Sequence, residues 1–508
     1  MSTVAILNNP QQASEWLKTR VTGDLRVDSR QIQPGDGFIA WPGAATDGRQ
    51  FVANAKAAGA TACIVEQDGA DAFALTGDGL AVYPRLKAAT GRIAAEYYGQ
   101  PSLAIDLLAV TGTNGKTSTA WWIAETLQKI EQQNVIQCAV VGTLGTGIAP
   151  HLSYTGLTTP DPVLLQQQLR RFVAQGVKYC AIEASSIGIA ERRLDGTQIR
   201  VALFTNLTHD HLDYHGDMAT YWQAKAELFR WPGLRAAVIN VDDPQGLVLM
   251  DSLDGAELDV WTYGLDPMFK PRLQGRSVRY QTHDHGYGLV FEVGEGDEVY
   301  TLMTKLIGQY NVSNLLGVIA AMRSLGFTLA DTVKACAHVT AVPGRMECIA
   351  EAGKPMAVVD YAHSPDALDK ALAGLKPLVA ERGGQLWCVF GCGGNRDATK
   401  RPAMAAMAER HADQVVVTSD NPRNEKPEAI ISQILLGLSQ GHQREGHVHV
   451  ELQRSDAIRY AIGAAAPADV VLIAGKGHED YQEIDGVRHP FSDQSHARAA
   501  LASRKERA

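Results

Sequence analysis

The segment Gly112-Thr113-Asn114-Gly115-Lys116-Thr117 has the residue types of a phosphate-binding loop. It follows a short apolar run at 107–110 and precedes a helix-like stretch from Ser118 to Ile130. In such a context, backbone N–H groups and the helix N-terminus bind polyphosphate. Lys116 would contact the β- and γ-phosphates, and the Thr117 hydroxyl would bind Mg²⁺. The first glycine of the full G-x-x-x-x-G-K-T pattern is missing, so a chance Gly-Lys-Thr turn remains the alternative.

Two further side chains suited to ligand chemistry follow strand-like runs. Glu183 comes directly after the apolar run 179–182, and His211 lies in a loop rich in His and Asp after the run 201–204. Open α/β sheets bind ligands beyond the carboxyl ends of their strands. The positions of both side chains therefore favour a role in ligand binding.

Composition restricts the class of protein. The chain has 508 residues, of which 45% are hydrophobic and 20% are charged. At roughly 100–200 residues per domain, this length predicts about three domains, and the apolar content excludes an intrinsically disordered chain. The formal net charge of −9 at pH 7 argues against a dedicated nucleic-acid binder. Apolar runs such as Val470–Ala474 are far shorter than the roughly 20 residues that span a bilayer, so we expect no membrane insertion.

The N-terminal sequence and the cysteines favour the cytoplasm. The first residues contain no basic region followed by a long apolar stretch, so we expect no secretory signal. The seven cysteines are odd in number and scattered, with no Cys-x-x-Cys pair. A disulfide framework or a zinc site is therefore improbable, and a reducing compartment fits better.

The pattern along the chain predicts an α/β fold with three domains, at 1–102, 103–341 and 342–508. Apolar runs alternate with helix-like stretches such as 163–174 and 219–230, which indicates mostly parallel sheets. We expect a central P-loop-type domain, flanked by an N-terminal α/β domain and a C-terminal α/β, Rossmann-like domain, and a β insertion at about 258–305. Pro101 marks the first linker, and the turn Val342-Pro343-Gly344 opens the third domain. The strands predicted after the linker are 107–110, 139–142, 179–182, 201–204, 236–239, 356–360, 386–390, 414–418 and 470–474.

Several motifs along nearly the whole chain resemble those of the Mur ligases, the ATP-dependent amino-acid-adding enzymes of peptidoglycan synthesis. Their order and spacing agree, which is far more specific than any single motif. Besides the phosphate loop Thr111–Thr117, they are Thr158–Pro160, Glu183–Ser186, Thr205–Gly216, Tyr221–Lys225, Asn311–Asn314, Val342–Glu347, Asp360–Pro365 and Gly475–Glu479.

The resemblance implies two Mg²⁺ ions as cofactors. Thr117 and Glu183 would hold the first ion, and His211 would help to hold the second. Lys225 matches a lysine that CO₂ converts to a carbamate in this family, which replaces a cation by two oxygens suited to Mg²⁺. His209 and His215 are interpreted as packing residues or as supports of the ligands.

The resemblance also implies residues for catalysis and for ATP. The implied catalytic residues are Lys116, Lys225, His211 and Glu183. The implied ATP-binding residues are Gly112, Thr113, Asn114, Gly115, Lys116, Thr117, Ser118, Asn311, Asn314 and Arg345. Arg345 would reach the nucleotide when the domains close, and His363 and Lys400 would approach it as well.

The first domain resembles the type that binds the UDP end of a UDP-MurNAc-peptide. The residues that the resemblance assigns to this substrate are Val27, Ser29, Ala44, Ala45, Thr46, Thr158, Thr159, Ser185, Glu191 and Arg193. Three departures from the family concern this substrate: Ala44-Ala45 stands where His-Gln is frequent, Ile187 where a histidine is frequent, and Glu191 where a glutamine is frequent. Glu191 would add negative charge near an anionic substrate.

The incoming amino acid would be bound by the third domain. The tetrapeptide Asp420-Asn421-Pro422-Arg423 resembles the one that marks the enzymes of this family that add meso-2,6-diaminopimelate. Arg423 can pair bidentately with the distal carboxylate of that amino acid, which lysine lacks. The other implied contacts are Arg396, Gly475 and Glu479.

The resemblance therefore implies that the chain adds meso-2,6-diaminopimelate to the D-glutamate side-chain carboxylate of UDP-MurNAc-L-Ala-D-Glu. ATP would activate the carboxylate as an acyl phosphate, and we expect a cytoplasmic monomer. The alternatives are a Mur ligase that adds L-lysine, an enzyme similar to folylpolyglutamate synthetase, and a nonhydrolysing ATP-binding scaffold. Phosphate release with each amino acid would distinguish them.

Overall fold

The computed structural model describes residues 4–43, 46–73, 75–130, 137–283, 286–439 and 446–504. The chain divides into two compact units, Met1–Thr262 with Ala320–Phe327, and Tyr263–Ile319 with Thr328–Ala508. Within the described ranges, every helix is too short or too polar to cross a membrane. The α/β class that the sequence predicts is confirmed.

The first unit begins with a five-stranded parallel sheet in the order β1-β5-β4-β3-β2. Successive side chains of a strand point to opposite faces. Ile39 and Ile64 therefore lie in one apolar cluster with helices α1 and α3, whereas Phe38 and Cys63 lie in another with α2. The bounds are β1 Ala5–Ile6, β2 Leu25–Arg26, β3 Gly37–Ala40, β4 Ala62–Glu66, β5 Leu80–Tyr83, α1 Pro10–Lys18, α2 Val52–Ala57 and α3 Leu86–Tyr97.

The same unit contains further strands in the order β12-β11-β6-β10-β7-β8-β9. All neighbours pair in parallel except β8 and β9, which form antiparallel extensions. Their bounds are β6 Asp106–Thr111, β7 Cys138–Gly142, β8 Gly145–Ile148, β9 His151–Ser153, β10 Tyr179–Glu183, β11 Val201–Phe204 and β12 Ala236–Asn240. The helices are α4 Lys116–Ile130, α5 Pro162–Ala174, α6 Ser186–Ala190, α7 Leu212–His215, α8 Met218–Ala226 and α9 Pro244–Ser252.

The register of these parallel strands brings three loops to one edge of the sheet. Glu183, the last residue of β10, is level with Val110 of β6, and Phe204 at the end of β11 is level with Thr111. The segments that follow the three strands therefore leave the sheet side by side. Helix α4 starts at that edge and packs on β6, β7 and β10.

The predicted β insertion is present. Strand β13 Asp259–Gly264 begins in the first unit and ends in the second, and β14 Leu273–His283, β15 Gly286–Glu295 and β16 Glu298–Met303 follow it. In the second unit, Tyr263 of β13 pairs in parallel with Leu273 of β14, and β14, β15 and β16 form an antiparallel meander. Helices α10 Tyr310–Ser324 and α11 Leu329–Cys336 come next.

The rest of the second unit is a six-stranded sheet in the order β17-β18-β22-β19-β20-β21, parallel except for β17. Alternating side chains fill two cores: Val358 and Cys388 pack on α12, α13 and α14, whereas Val359 and Val389 pack on α15 and α16. Each such large apolar side chain contributes roughly 1.5–3 kcal/mol by its burial. The strands are β17 Glu347–Ile349, β18 Met356–Asp360, β19 Leu386–Phe390, β20 Gln414–Val417, β21 Val448–Val450 and β22 Val470–Ala474, followed by the hairpin β23 Tyr481–Ile484 and β24 Val487–Pro490. The helices are α12 Pro365–Arg382, α13 Lys400–His411, α14 Pro427–Leu435, α15 Arg454–Ala464 and α16 Asp493–Ser503.

The strand predictions agree with the structure to within one residue at each end. One predicted helix, 219–230, is divided instead: α8 ends at Ala226, and a 3₁₀ turn covers Glu227–Arg230. Pro232 explains why the 3₁₀ turn ends at Arg230, because the residue before a proline avoids the helical conformation, and Trp231 is extended. The predicted linker at Pro101 is a short 3₁₀ helix in which Pro101 and Ser102 are buried.

Candidate functional site

The phosphate loop connects β6 to α4 and needs glycine at two positions. Gly112 has φ +145° and Gly115 has φ +85°, a region that favours glycine. A Cβ atom on Gly112 would lie 1.9 Å from Oγ1 of Thr205, which leaves no room for a side chain. The loop can therefore approach the neighbouring segment closely enough to be held by it.

Residues 205–208 hold the loop through hydrogen bonds. The amide of Thr113 donates to the Asn206 carbonyl at 2.8 Å, and the amide of Asn114 donates to Asn206 Oδ1 at 3.0 Å. The Thr208 amide in turn donates to Thr113 Oγ1 at 2.9 Å. Asn206 is thus a structural support of the loop, a role that the sequence did not assign although the motif around it was recognised.

Lys116 lies at the start of α4, and its ammonium remains at the loop. Its Nζ donates to the carbonyls of Gly112 at 2.9 Å and Thr113 at 2.7 Å. The side chain is half-buried, so the charge is near both the loop backbone and solvent. This arrangement presents a cation where the loop would bind phosphate.

Glu183 is buried directly beside the start of α4. Its Oε2 accepts hydrogen bonds from the hydroxyls of Thr117 at 3.0 Å and Thr143 at 3.1 Å, and its Oε1 accepts from the Thr143 amide at 2.8 Å. A Cβ on Gly142 would lie 2.1 Å from Oε1, so glycine there makes room for the carboxylate. Thr143 and Gly142 were not identified from the sequence, because neither belongs to a motif that carries chemistry on its own.

Lys225 of α8 is buried, with 1% of its surface exposed. Its Nζ donates to the Gly112 carbonyl at 2.8 Å and lies 4.4 Å from the centre of the Tyr221 ring. Burial, reinforced by the nearby Lys116 ammonium, holds the pKa of Lys225 well below its usual value. This shift favours the neutral, nucleophilic form of the amine.

Tyr221 connects Lys225 to the histidine-containing loop. Its hydroxyl is 3.1 Å from Thr113 Oγ1, and its ring is 5.2 Å from that of His215 and 6.1 Å from that of His211. His215 is also bonded through Nε2 to the Ser186 hydroxyl at 3.0 Å, which is typical of a packing residue. Tyr221 is a further residue whose role the sequence did not reveal.

The two other histidines of the loop differ in their surroundings. His211 has φ +54°, and its Nε2 lies 3.5 Å from Asp210 Oδ2. Burial lowers the pKa of His211 although Asp210 opposes the shift, which favours the neutral imidazole that can act as a ligand. His209 is exposed.

The chemistry of the donor set fits Mg²⁺. Across the described ranges, no three His, Cys, Asp or Glu side chains converge as a metal centre. A protein commonly binds Mg²⁺ through only one or two carboxylates, together with water and substrate phosphates. The hydroxyl of Thr117 and the carboxylate of Glu183, adjacent beneath a phosphate loop, suit such an ion.

The residues expected to bind the sugar-peptide lie beside Glu183. Thr159 donates through Oγ1 to the Glu183 carbonyl at 2.6 Å and is 3.0 Å from Ser185 Oγ. Ser185 also caps α6 by accepting from the Gly188 amide at 3.0 Å, and Arg193 donates to the Thr159 carbonyl at 3.1 Å. Thr159 is fully buried, and its hydroxyl bonds to these neighbouring residues. Thr158 is half-buried, and its hydroxyl oxygen lies 3.1 Å from that of Thr143.

Glu191, a departure from the family pattern, is paired. Its Oε2 is 2.6 Å from Nζ of Lys87, and its Oε1 accepts a hydrogen bond from the hydroxyl of Tyr214. The sequence predicted additional negative charge at this position, and the structure supplies an adjacent cation.

The residues predicted for the UDP end lie in the first sheet and its loops. Val27 and Ser29 are half-buried, and Asp28 caps the short helix at Ser29 by accepting from the Arg30 amide at 3.0 Å. Thr46 is exposed, and its carbonyl accepts from the Gly43 amide at 3.0 Å. Ala44 and Ala45 lie outside the described residues.

In the second unit, the two asparagines of α10 are buried and linked. Asn311 donates through Nδ2 to the Ile307 carbonyl at 2.8 Å, and Asn314 donates to Asn311 Oδ1 at 3.0 Å. The Arg345 guanidinium packs 4.4 Å from the centre of the Tyr361 ring.

The Asp420–Arg423 segment follows β20 and forms a polar network with the loop after β22. Asn421 donates through Nδ2 to Glu479 Oε2 at 2.8 Å, and its Oδ1 accepts from Lys476 Nζ at 3.0 Å. Lys476 also donates to Glu479 Oε2 at 3.0 Å and has no exposed surface. The sequence did not single out Lys476, which sets the orientation of both Asn421 and Glu479.

Arg423 is presented at the rim of this network. It has φ +51°, and its Nη1 donates to the Gly394 carbonyl at 2.8 Å, which ties it to the loop after β19. Gly475 has φ +121°, and a Cβ there would lie 2.6 Å from Asp420 Oδ2. Pro422 is buried in the same turn, whereas Arg396 is exposed.

Three family models match the chain. They describe the Mur ligase middle domain at residues 110–322, the Mur ligase glutamate ligase domain at 344–477 and the Mur ligase family catalytic domain at 24–98.

Individual relatives agree with these matches. The chain is 59% identical over 507 residues to the UDP-N-acetylmuramoyl-L-alanyl-D-glutamate–2,6-diaminopimelate ligase of Acidovorax sp. (strain JS42), and the match covers 99% of each chain. It is similar to a solved structure of an enzyme with the same name, with a TM-score of 0.67, 37% identity and 94% of each chain covered. A MurF ligase from Thermotoga maritima, solved in complex with ADP, shares the fold at a TM-score of 0.64 and 18% identity, over 90% of this chain and 94% of that one.

Proposed function

The chain belongs to the Mur ligase family, and from this membership we propose that it adds meso-2,6-diaminopimelate to UDP-MurNAc-L-Ala-D-Glu in an ATP-dependent step of peptidoglycan synthesis. The observation that carries the proposal is the 59% identity to a ligase of that name over 99% of both chains. The geometry of the phosphate loop and of the Asp420–Arg423 segment supports it.

The first chemical step is activation of the D-glutamate side chain. A carboxylate is a poor electrophile, so one of its oxygens attacks the γ-phosphorus of ATP, ADP leaves, and an acyl phosphate forms. The loop amides and the Lys116 ammonium bind the phosphates and offset the negative charge that develops during transfer. Asn206 keeps the loop amides oriented through its bonds to Thr113 and Asn114.

Thr117 and Glu183 would hold one Mg²⁺, and His211 with the carbamate of Lys225 would hold a second. Bound there, the ions screen the negative charges of the phosphates and of the attacking carboxylate. Lys225 supports this assignment by its position, since its amine is buried against the Gly112 carbonyl and the Tyr221 ring. As an ammonium it would repel a cation, whereas reaction of its neutral amine with CO₂ and release of one proton from the nitrogen would give an anionic carbamate.

The second step is attack by the amine of meso-diaminopimelate on the acyl carbon. A tetrahedral intermediate forms, the nitrogen loses a proton, and phosphate leaves with one oxygen of the original carboxylate. Arg423 would bind the distal carboxylate through its remaining N–H groups, and Glu479 would accept the distal ammonium. The Lys476 ammonium supports this role because it holds Glu479 and Asn421 in fixed orientations.

We also propose domain boundaries at 102/103 and 341/342, a monomeric state and a cytoplasmic location. The family models support the boundaries, because one ends at residue 98, the next begins at 110 and the third begins at 344. The seven cysteines all lie within the described ranges, form no disulfide there and are mostly buried, which supports a reducing compartment.

A coupled phosphate-release assay tests the function. The purified chain is given ATP, Mg²⁺ and UDP-MurNAc-L-Ala-D-Glu, with meso-diaminopimelate, L-lysine or no amino acid, and the product is identified by mass. We expect release and amide formation with meso-diaminopimelate only. Turnover with L-lysine alone would identify L-lysine as the amino acid that is added. No turnover with either amino acid would overturn the proposal.

A further inference from the structure

Lys87 of α3 forms an ion pair with Glu191, which follows α6. The distance from Lys87 Nζ to Glu191 Oε2 is 2.6 Å, and the hydroxyl of Tyr214 donates to the other carboxylate oxygen. The side chains are 40% and 27% exposed, respectively. The pair is thus partly shielded from water and still accessible to a ligand.

Backbone packing fixes the position of this pair. Gly91, one helical turn after Lys87, lies so close to residues 195–196 that a Cβ would be 2.1 Å from the Asp195 carbonyl oxygen. On the opposite side, a Cβ on Gly196 would be 2.5 Å from the Gly91 carbonyl oxygen. Two glycines therefore let the backbones meet, and Lys87 is held against Glu191 by more than the attraction of two flexible side chains.

Glu191 belongs to the segment that we propose for the sugar-peptide. It is the residue directly after α6, whose first turn is capped by Ser185. Arg193 follows two residues later and donates to the Thr159 carbonyl. Tyr214, the second partner of Glu191, packs with its ring 4.8 Å from that of His215. The Glu191 carboxylate is therefore linked to the proposed substrate residues through Tyr214 and through the charge of Arg193.

Glu191 is ionised at neutral pH. Burial opposes ionisation, but the hydrogen bonds from Lys87 and Tyr214 and the nearby Arg193 keep the pKa of Glu191 below its usual value. Alone, this anion would repel the carboxylates of the sugar-peptide. Paired with Lys87 it is neutralised, and each carboxylate oxygen still has a lone pair that can accept a substrate N–H.

We infer that Lys87 is a specificity-determining residue for the nucleotide-sugar-peptide: its ammonium cancels the charge of Glu191, so that this carboxylate can accept an amide N–H of the substrate without repelling the substrate's own carboxylates. The inference rests on the proposed function, since it takes the anionic sugar-peptide as the ligand of this segment. It also explains why a glutamate is tolerated at position 191.

Four proteins test the inference: the wild type, Lys87→Met, Glu191→Gln and the double variant. For each, KM is measured for UDP-MurNAc-L-Ala-D-Glu, ATP and meso-diaminopimelate, and the Kd of the sugar-peptide is measured by calorimetry, which needs no turnover. Lys56→Met is the matched control, because Lys56 lies on α2, which packs on the other face of the same sheet, and its Nζ donates to the Thr76 carbonyl at 3.4 Å. Thermal unfolding confirms that every variant is folded, and Lys87→Arg serves as the conservative replacement.

We expect Lys87→Met to raise the KM and Kd of the sugar-peptide about tenfold, by exposing the anion to its substrate, with both other KM values unchanged. In the Glu191→Gln background the same change has little effect, and Lys87→Arg retains wild-type affinity. An unchanged Kd in Lys87→Met, or an equal loss in both backgrounds, would overturn the inference. A wild type that binds the sugar-peptide without turning it over would instead contradict the proposed function and leave the binding comparison valid.

Discussion

The hydroxyl of Thr117 donates a 3.0 Å hydrogen bond to Oε2 of Glu183, although 66 positions separate the two residues in the chain. The contact exists because β6 and β10 are neighbours in register, so that the loop after one strand meets the end of the other. It joins the start of α4 to a buried carboxylate. Two oxygen atoms suited to a hard cation are thereby preorganised beneath the phosphate loop.

Replacing Thr117 by valine removes this hydroxyl at nearly constant volume. We expect a loss of kcat of at least about 100-fold, because a preorganised electrostatic contact in phosphoryl transfer is worth several kcal/mol. Thr119→Val is the matched control, since Thr119 lies on the same helix and its buried Oγ1 has no hydrogen-bond partner among the residues that the structure describes. Equal activity of Thr117→Val and Thr119→Val would contradict a catalytic role for Thr117.

Replacing Lys225 by alanine should abolish most turnover and leave a cavity that a small anion can enter. We expect added acetate or formate to restore part of the activity, because such an anion would stand in for the carbamate. Lys178→Ala, which changes an exposed lysine of the same unit, should behave as the wild type with and without carboxylates. Full activity of Lys225→Ala in carboxylate-free buffer would contradict the assignment.

Arg423→Lys tests the recognition of the distal carboxylate. A lysine keeps the charge but loses the planar pair of donors, so we expect the KM for meso-diaminopimelate to rise about 10- to 100-fold. The KM for ATP should remain unchanged. Arg488→Lys, on the nearby β24, is the control, because Arg488 packs over Tyr481 and is exposed. If both substitutions affect KM alike, Arg423 has no special part in binding.

The ion pair between Arg454 and Asp493 joins α15 to α16, and neither side chain has any exposed surface. Arg454→Met strands a buried carboxylate, which should lower the free energy of unfolding by about 3–5 kcal/mol. The exposed pair of Arg459 with Asp456 is the control, and Arg459→Met should change the free energy of unfolding by less than about 1 kcal/mol. Denaturant titration measures both, and equal losses would show that burial is not decisive.

His478 makes stability depend on pH. Burial, with the nearby Arg345 and Lys476 charges, lowers the pKa of His478 to about 4, below its ordinary 6.5. Between those values the unfolded chain binds a proton that the folded chain does not, so stability falls as the pH falls from 6.5 to 4. The loss of stability over this pH range is up to about 3 kcal/mol.

The comparison that isolates this effect is between the wild type and His478→Gln. We expect the difference in thermal midpoint between the two to shrink or reverse as the pH is lowered through that window, and to stay constant above pH 7. His489→Gln, at an exposed position of β24, should follow the wild type at every pH. Parallel curves for all three proteins would mean that His478 titrates normally.

Strands and their ends were predictable from the sequence because buried parallel strands are continuous apolar runs between turn residues. Runs such as Met356–Asp360 therefore coincide with the observed strands. The loop glycines and Lys116 were predictable for a similar reason, since their chemistry is local.

Partners distant in sequence were not predictable. Nothing in the sequence distinguishes Lys476 from the other lysines. Its bond to Asn421, 55 residues away, is evident only in the structure. The same holds for Lys87 with Glu191, and for Thr143 with Glu183, because a hydrogen bond between separated segments leaves no periodic signal in either of them. Tyr221 lay within a recognised motif, but only its contacts show that its ring packs against both Lys225 and His215.

The ammonium of Lys116 is already bonded to two carbonyls of its own loop, those of Gly112 and Thr113. An arriving anion thus exchanges existing bonds for stronger ones, and only the surplus contributes to affinity. A singly charged ion gains little from that exchange, whereas the terminal groups of a triphosphate gain much more. The hydrogen bonds within the loop, which a ligand must replace, therefore favour highly charged nucleotides over the abundant small anions of the surrounding solution.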